Sequence, residues 1–148
     1  MDLLRLRDRL EPAERARLDA IEDHLQTRVR PHLTRYWDAE EFAFDLLPGL
    51  AELGLGRLVL DGSSSLFQQL VHAEIARVDL SLSALVGIHN ELNLGMIAHL
   101  GSDAHRDRWQ ARLESFESLG AFCLTEPEHG SDVAGGLATT ATLDGDEW

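Results

Sequence analysis

A chain of 148 residues with 44% hydrophobic side chains can fill a core for one folded unit and is not of disordered composition. Acidic residues outnumber basic ones by 26 to 13, and the net charge of −13 excludes a general nucleic-acid or anionic-membrane binder, which needs clustered cations. Any anionic ligand would have to be held by local donors working against this field.

Met1 to Leu10 interleaves leucines with Arg5, Arg7 and Arg9 and carries Asp2 and Asp8, which is neither a signal-peptide core nor an acid-free transit peptide. No later run approaches the ~20 apolar residues of a membrane span. The lone Cys123 cannot form an internal disulfide and reads as a small apolar strand residue rather than a nucleophile. Together these point to a soluble, cytoplasmic protein.

Leu18, Ile21, Leu25 and Val29 recur at helical spacing behind Pro12, a residue suited to a first turn, and Pro31 should close that helix. Asp38 and Glu41 have capping-box spacing ahead of a second helical face running from Phe42 to Leu53. Pro48 interrupts that face, so either the helix kinks there or a new one begins with Pro48 in its first turn. Between Gly54 and Ser65 lies a connection with a short extended piece at Leu58, Val59 and Leu60.

Ser64 or Ser65 can cap a third helix carrying Leu66, Leu70, Val71, Ile75 and Val78. Asp79 or Ser81 can cap a fourth, carrying Leu82, Leu85, Val86, Leu92, Met96, Ile97 and Leu100, whose apolar character predicts that it is the most buried. His89, Asn90, Glu91 and Asn93 interrupt it. A raised-pKa catalytic carboxylate at Glu91 is conceivable, but a solvated helix face is the preferred reading of the group. Gly101 fits a helix end, and Ser102 starts a last helix that bears Trp109 and Leu113.

After Gly120 the pattern becomes extended. It predicts strands at 121–126 and around 139–143, with Asp144-Gly145-Asp146 as a hairpin turn. A hairpin cut at its turn leaves open edges, so the sequence reads as a fragment or as one piece of an assembly. The first strand ends at Glu126 because Pro127 lacks an N–H and forces its predecessor into extended backbone. Gly130 then permits unusual angles, and Ser131 and Asp132 can bind main chain or ligand. Polar, closely approachable backbone directly after a buried strand suits a ligand with a flat apolar face and a hydrogen-bonding edge, such as a flavin.

Thr125-Glu126-Pro127, two variable residues and Gly130-Ser131-Asp132 closely resemble the first flavin-contacting segment of the acyl-CoA dehydrogenase family. Weaker similarity runs through Leu50 to Gly56, Glu74 to Asp79, and Gly101-Ser102 with the following Trp109 helix. The resemblance implies a mainly α fold. Residues 1–119 would form the N-terminal helical bundle and residues 120–148 the first strands of a truncated β-domain.

By position it assigns FAD contacts to Phe122, Cys123, Leu124, Thr125, Glu126, Pro127, Glu128, His129, Gly130 and Ser131, with Ser131 also near the acyl-CoA substrate. Asp132 is assigned to holding the turn with its oxygens taken by main-chain N–H groups, and Gly135 and Gly136 to spacing. For His129 an ordinary loop histidine is preferred over a phosphate ligand.

The family oxidises an acyl-CoA thioester to the 2,3-enoyl-CoA. A carboxylate removes the α-proton, FAD accepts hydride, and the reduced flavin passes its electrons to an acceptor. The catalytic glutamate is expected in a C-terminal helical domain outside this sequence, as is a second flavin segment. No catalytic residue or metal ligand is therefore assigned here, and the isolated chain should be inactive. The full-length enzyme would be a homo-oligomer, commonly a tetramer in the family.

The string after His129 is most similar to the glutaryl-CoA dehydrogenase branch. Leu80-Ser81-Leu82-Ser83 lacks the arginine that this branch uses for the distal carboxylate, so glutaryl-CoA is not the expected substrate. The Gly54 to Ser65 connection is also shorter and richer in serine than the family's loop there. Alternative readings are a non-catalytic helical module contributing half of a flavin site with a second subunit, and a flavin monooxygenase on the same architecture.

Overall fold

The computed structural model describes residues 4–147; Met1, Asp2 and Leu3 of the amino-terminal stretch, and Trp148, lie outside the described residues. Helix α1 spans Pro12–His24 with Pro12 in its first turn, and passes through a wide turn at Leu25–Val29 into α2, Arg30–Ala39. Pro31 does not close the helix. The Arg30 N–H reaches back five residues to Leu25 O, so the bonding register changes just where the proline's missing N–H falls. Leu18, Ile21, Leu25, Val29 and Leu33 are all buried along one face.

The capping box expected at Asp38 and Glu41 does not form. Those residues end α2, where Glu40 adopts left-handed backbone at φ 55°. Helix α3, Leu47–Glu52, starts afresh with Pro48 in its first turn, which decides between the two readings of that proline. The extended piece at 58–60 is instead the end of tight helical turns over Leu55–Leu60, entered through Gly54 at φ 76°.

Helix α4, Ser65–Val78, is capped by Ser64, whose hydroxyl accepts the Phe67 N–H at 3.1 Å. Asp79 caps α5, Leu80–Ile88, by accepting the Leu82 N–H at 2.7 Å. A second wide turn, His89–Leu94, leads into α6, Gly95–Leu100, and Ser102 with His105 forms a capping box for α7, Asp103–Glu114. Phe67, Val71 and Ile75 of α4 are fully buried with Leu18 and Ile21 of α1, Leu25 of the first wide turn, Leu82 and Val86 of α5, and Leu50, Leu55 and Leu58.

The run from α5 to α6 is not the most buried part of the chain. Leu82, Val86 and Leu94 face inward, but Ile88, Leu92, Met96 and Leu100 form an exposed apolar stripe, with Leu100 78% accessible. Spaced four apart, they line the face opposite the core.

Beyond α7 the architecture departs from expectation. Among the described residues there is no strand at 121–126 or 139–143, only isolated bridges pairing Glu126 with His129 and Asp144 with Glu147. Extended segments become strands only when a neighbour takes up their backbone hydrogen bonds, and no neighbouring edge runs beside these. The turn at Asp144-Gly145-Asp146 does form, with Gly145 at φ 65°. The fold is thus mainly α, and the expected first β-strands are not formed among the described residues.

Candidate functional site

The site is assembled at the end of α7 and in the loop that follows it. Two consecutive side chains of the second wide turn, His89 and Asn90, anchor the surroundings from inside. Asn90 Nδ2 donates to Leu55 O at 2.8 Å and to Val86 O at 2.9 Å, while Oδ1 accepts the Val59 N–H at 3.3 Å. His89 Nε2 lies 2.8 Å from Leu113 O, and its ring is 4.9 Å from that of Phe116. These two therefore do not belong to a solvated face. Glu91 is exposed and Asn93 partly so.

With Nε2 donating to the Leu113 carbonyl, His89 Nδ1 is buried without a partner among the described residues. Burial pushes the His89 pKa down, with the Leu113 bond opposing. The native state thus resists a proton that the unfolded chain accepts, and stability should fall as pH drops from the ordinary 6.5 through the lowered native value. His72, also lowered chiefly by burial, acts in the same direction. Urea midpoints at about pH 7.5 and about pH 5.5 should show a smaller loss for His89→Gln than for the parent chain, because the amide can still donate to Leu113 O and does not titrate.

From this anchor the chain runs over Asn93, whose Oδ1 sits where a Cβ on Gly120 would be, 2.3 Å away. It then forms one wall of an open, mainly apolar groove of about 370 Å³. Leu92, Met96, Trp109, Leu119 and Phe122 line it. The Leu92 and Met96 contribution was missed in the sequence because helical apolar spacing looks the same whether it faces a core or a groove.

Of the assigned residues, Phe122 alone lines the groove; Cys123, Leu124, Thr125, Pro127, Glu128, Gly130 and Ser131 are exposed, and Glu126 and His129 are half-buried. Cys123 is accordingly not a packed strand residue. Neither the Thr125 nor the Ser131 hydroxyl is engaged by another described residue.

The loop from Glu126 to Thr139 is closed by polar bonds. Glu126 exchanges main-chain bonds with His129, and its carboxylate accepts the N–H groups of Ala138 at 2.7 Å and Thr139 at 2.8 Å. Hydrogen bonding from Thr139 and then Ala138 holds the Glu126 carboxyl below the ordinary range. Asp132 does hold the turn, but not as expected. Its carboxylate lies 2.8 Å from His129 Nδ1, while its carbonyl accepts the Gly135 and Gly136 N–H groups. Gly136 packs so closely beneath this pair that a Cβ would come within 2.1 Å of Asp132 Oδ2, which gives that glycine a steric role beyond spacing.

An isoalloxazine edge is matched here by two uncommitted hydroxyls, exposed main chain and the apolar side of Phe122. The loop's carboxylates at Glu126 and Asp132 are already bonded within it. A diphosphate finds no cation in the same segment, since Arg112 is the last basic residue apart from His129. Its countercharge would have to come from outside residues 113–148.

A helical bundle, seven α-helices among the described residues, leading into this loop defines the class. The sequence profile of the acyl-CoA dehydrogenase N-terminal domain matches residues 11–117, and the chain belongs to that family of oxidoreductases. Isobutyryl-CoA dehydrogenase, mitochondrial, of Dictyostelium discoideum is 36% identical over 133 residues, which cover 85% of this chain and 31% of the relative. Short-chain specific acyl-CoA dehydrogenase, mitochondrial, of Bos taurus is 41% identical over 75 residues, covering 51% of this chain and 18% of that protein.

Among solved structures, a glutaryl-CoA dehydrogenase from Mycobacterium smegmatis superposes with a TM-score of 0.83 at 34% identity, over 93% of this chain and 37% of the other. A glutaryl-CoA dehydrogenase of the same organism in complex with FADH2 gives 0.80 at 25% identity, over 90% and 35%. The chain therefore spans roughly a third of the length of these structural relatives. No helix among the described residues is long and apolar enough to cross a membrane.

Proposed function

We propose that this chain supplies the N-terminal part of an FAD-dependent acyl-CoA dehydrogenase, with residues 1–119 as its helical domain and a second domain beginning near residue 120. The observation that carries this reading is the loop from Thr125 to Ser131, which leaves two hydroxyls exposed and without a partner among the described residues, in a chain of this family. When bound, FAD supplies the hydride acceptor. Thr125 presents its hydroxyl and main chain to the polar edge of the ring, Phe122 covers an apolar side, and Ser131 lies between cofactor and acyl-CoA. Cys123 to Gly130 complete the contact, through main chain more than side chain.

The catalytic glutamate comes from a C-terminal helical domain outside these residues, and the cation that meets the diphosphate comes from outside residues 113–148. The working enzyme is a homo-oligomer, in the family commonly a tetramer, passing electrons to a separate acceptor. Its substrate is a monocarboxylic acyl-CoA. Leu80 to Ser83 offer no cation to a distal carboxylate, and nearby Arg77 is paired with Glu74 at 3.2 Å.

The test is to purify the product of the complete reading frame and follow flavin absorbance anaerobically while adding acyl-CoA thioesters, with isobutyryl-CoA and butyryl-CoA first. Bleaching by a subset of thioesters is expected. Bleaching only by NAD(P)H would overturn the dehydrogenase and favour the monooxygenase. The other alternative, a non-catalytic helical module, draws on the exposed stripe at Ile88, Leu92 and Met96, and predicts a protein that holds flavin only when mixed with a partner subunit.

A further inference from the structure

We infer that Glu126 is a positioning residue: its carboxylate clasps the consecutive N–H groups of Ala138 and Thr139 and thereby fixes the loop that presents Thr125 and Ser131 to a flavin. The inference rests on the flavin reading above. It changes the role assigned to Glu126 from a cofactor contact to a group acting through its neighbours.

Little else can hold this loop. No other heavy atom lies within 4 Å of where a Cβ would stand on Gly130 or Gly135, and most side chains between Pro127 and Thr139 are exposed. Apolar packing therefore contributes little, and the loop keeps its shape through main-chain bonds at its two turns, the His129–Asp132 pair and the Glu126 clasp. Among the described residues only the clasp joins the two ends, spanning twelve and thirteen residues. Thr125 is the immediate neighbour of the clasping residue, and Ser131 sits inside the closed loop.

The sign of the effect separates a clasp from a bystander. FAD is anionic, so a bystander carboxylate next to it repels it, and neutralising that charge should tighten binding. A clasp predicts the reverse. Glu126→Gln keeps one acceptor oxygen but turns an amide NH2 toward one of the two N–H donors, which opens the loop.

The experiment uses the complete protein, stripped of flavin, with FAD titrated into the parent, Glu126→Gln, Glu126→Asp and Asp146→Asn. The last removes one negative charge beyond the loop. Glu126→Gln should bind FAD about tenfold more weakly, Glu126→Asp should recover part of that loss, and Asp146→Asn should bind no more weakly than the parent. Hydrogen–deuterium exchange in the peptide around Ala138 and Thr139 should rise about tenfold in Glu126→Gln, with helical circular dichroism unchanged.

Equal or tighter FAD binding by Glu126→Gln, or unaltered exchange at Ala138 and Thr139, overturns the inference. A parent protein that binds no FAD overturns the flavin reading beneath it instead. The exchange measurement would then still show whether the clasp exists.

Discussion

Gly56→Ala is expected to destabilise the chain by about 3 kcal/mol, at the upper end of what one added methyl group does in a packed interior. A Cβ at this position would stand 2.1 Å from Glu114 O and 3.2 Å from Phe116 Cε2. The first of these is main chain at the last residue of α7, so no side-chain rotation relieves it. Either the turns at Leu55–Leu60 or the end of α7 must move. A shift of α7 also displaces the Leu113 carbonyl from His89 and carries 115–122 with it, so the groove wall at Phe122 moves too. Urea or thermal unfolding measures the loss against Gly135→Ala, whose added methyl group meets open space and should change stability by less than about 0.5 kcal/mol. Equal stability of the two variants would show that α7 does not rest on Gly56.

Asn90→Ala should cost a similar amount, about 3 kcal/mol, by a different route. Its buried side chain joins the wide turn to both ends of the tight turns at Leu55–Leu60. Alanine leaves the Leu55 carbonyl and the Val59 N–H without that partner, each worth about 1 to 3 kcal/mol when buried and unsatisfied, and opens a small void. Val86 O loses less, because it also accepts the His89 N–H. Asn90→Asp should be worse at neutral pH. It keeps the acceptor for Val59 but sets a carboxylate oxygen against the Leu55 carbonyl in a dry interior. Since the buried carboxyl would bind a proton more readily than in the unfolded chain, the gap between the Asp and Ala variants should narrow as pH falls. Urea midpoints of the two variants at neutral and mildly acidic pH test the order; an Asp variant as stable as the parent would place Asn90 outside the anchoring network.

Local rules carried much of the helical architecture. Ser64, Asp79 and Ser102 cap helices because a side-chain oxygen needs only an N–H a few residues ahead, a relation visible in the sequence. Pro31 misled because its effect depends on hydrogen-bond register, which the wide turn at Leu25–Val29 had already shifted. The same kind of turn hid Asn90. Apolar periodicity assumes 3.6 residues per turn, and at His89–Leu94 two adjacent polar residues turn inward while Glu91 beside them is exposed.

For the loop after Gly120 the motif was legible and its mechanics were not. Phe122 and Leu124 have strand propensity, but propensity is realised only beside another strand. Thr125 and Ser131 were found as exposed hydroxyls. The partners of the Glu126 carboxylate lie too far along the chain for any spacing rule to connect them.

A helix that winds wide for one turn holds one residue more than the regular spiral would. Loss of a single residue within 89–94 would let the bonding ladder close up into regular α-helix, and everything downstream would keep nearly its present orientation, because the wide turn is what absorbs the extra residue. Met96 would stay beside Trp109 in the groove's lining, whereas loss of one residue from the regular stretch Gly95–Leu100 would turn the side chains after it by about 100°. At 89–94 the helix therefore tolerates a change in residue number that it would not tolerate one turn later.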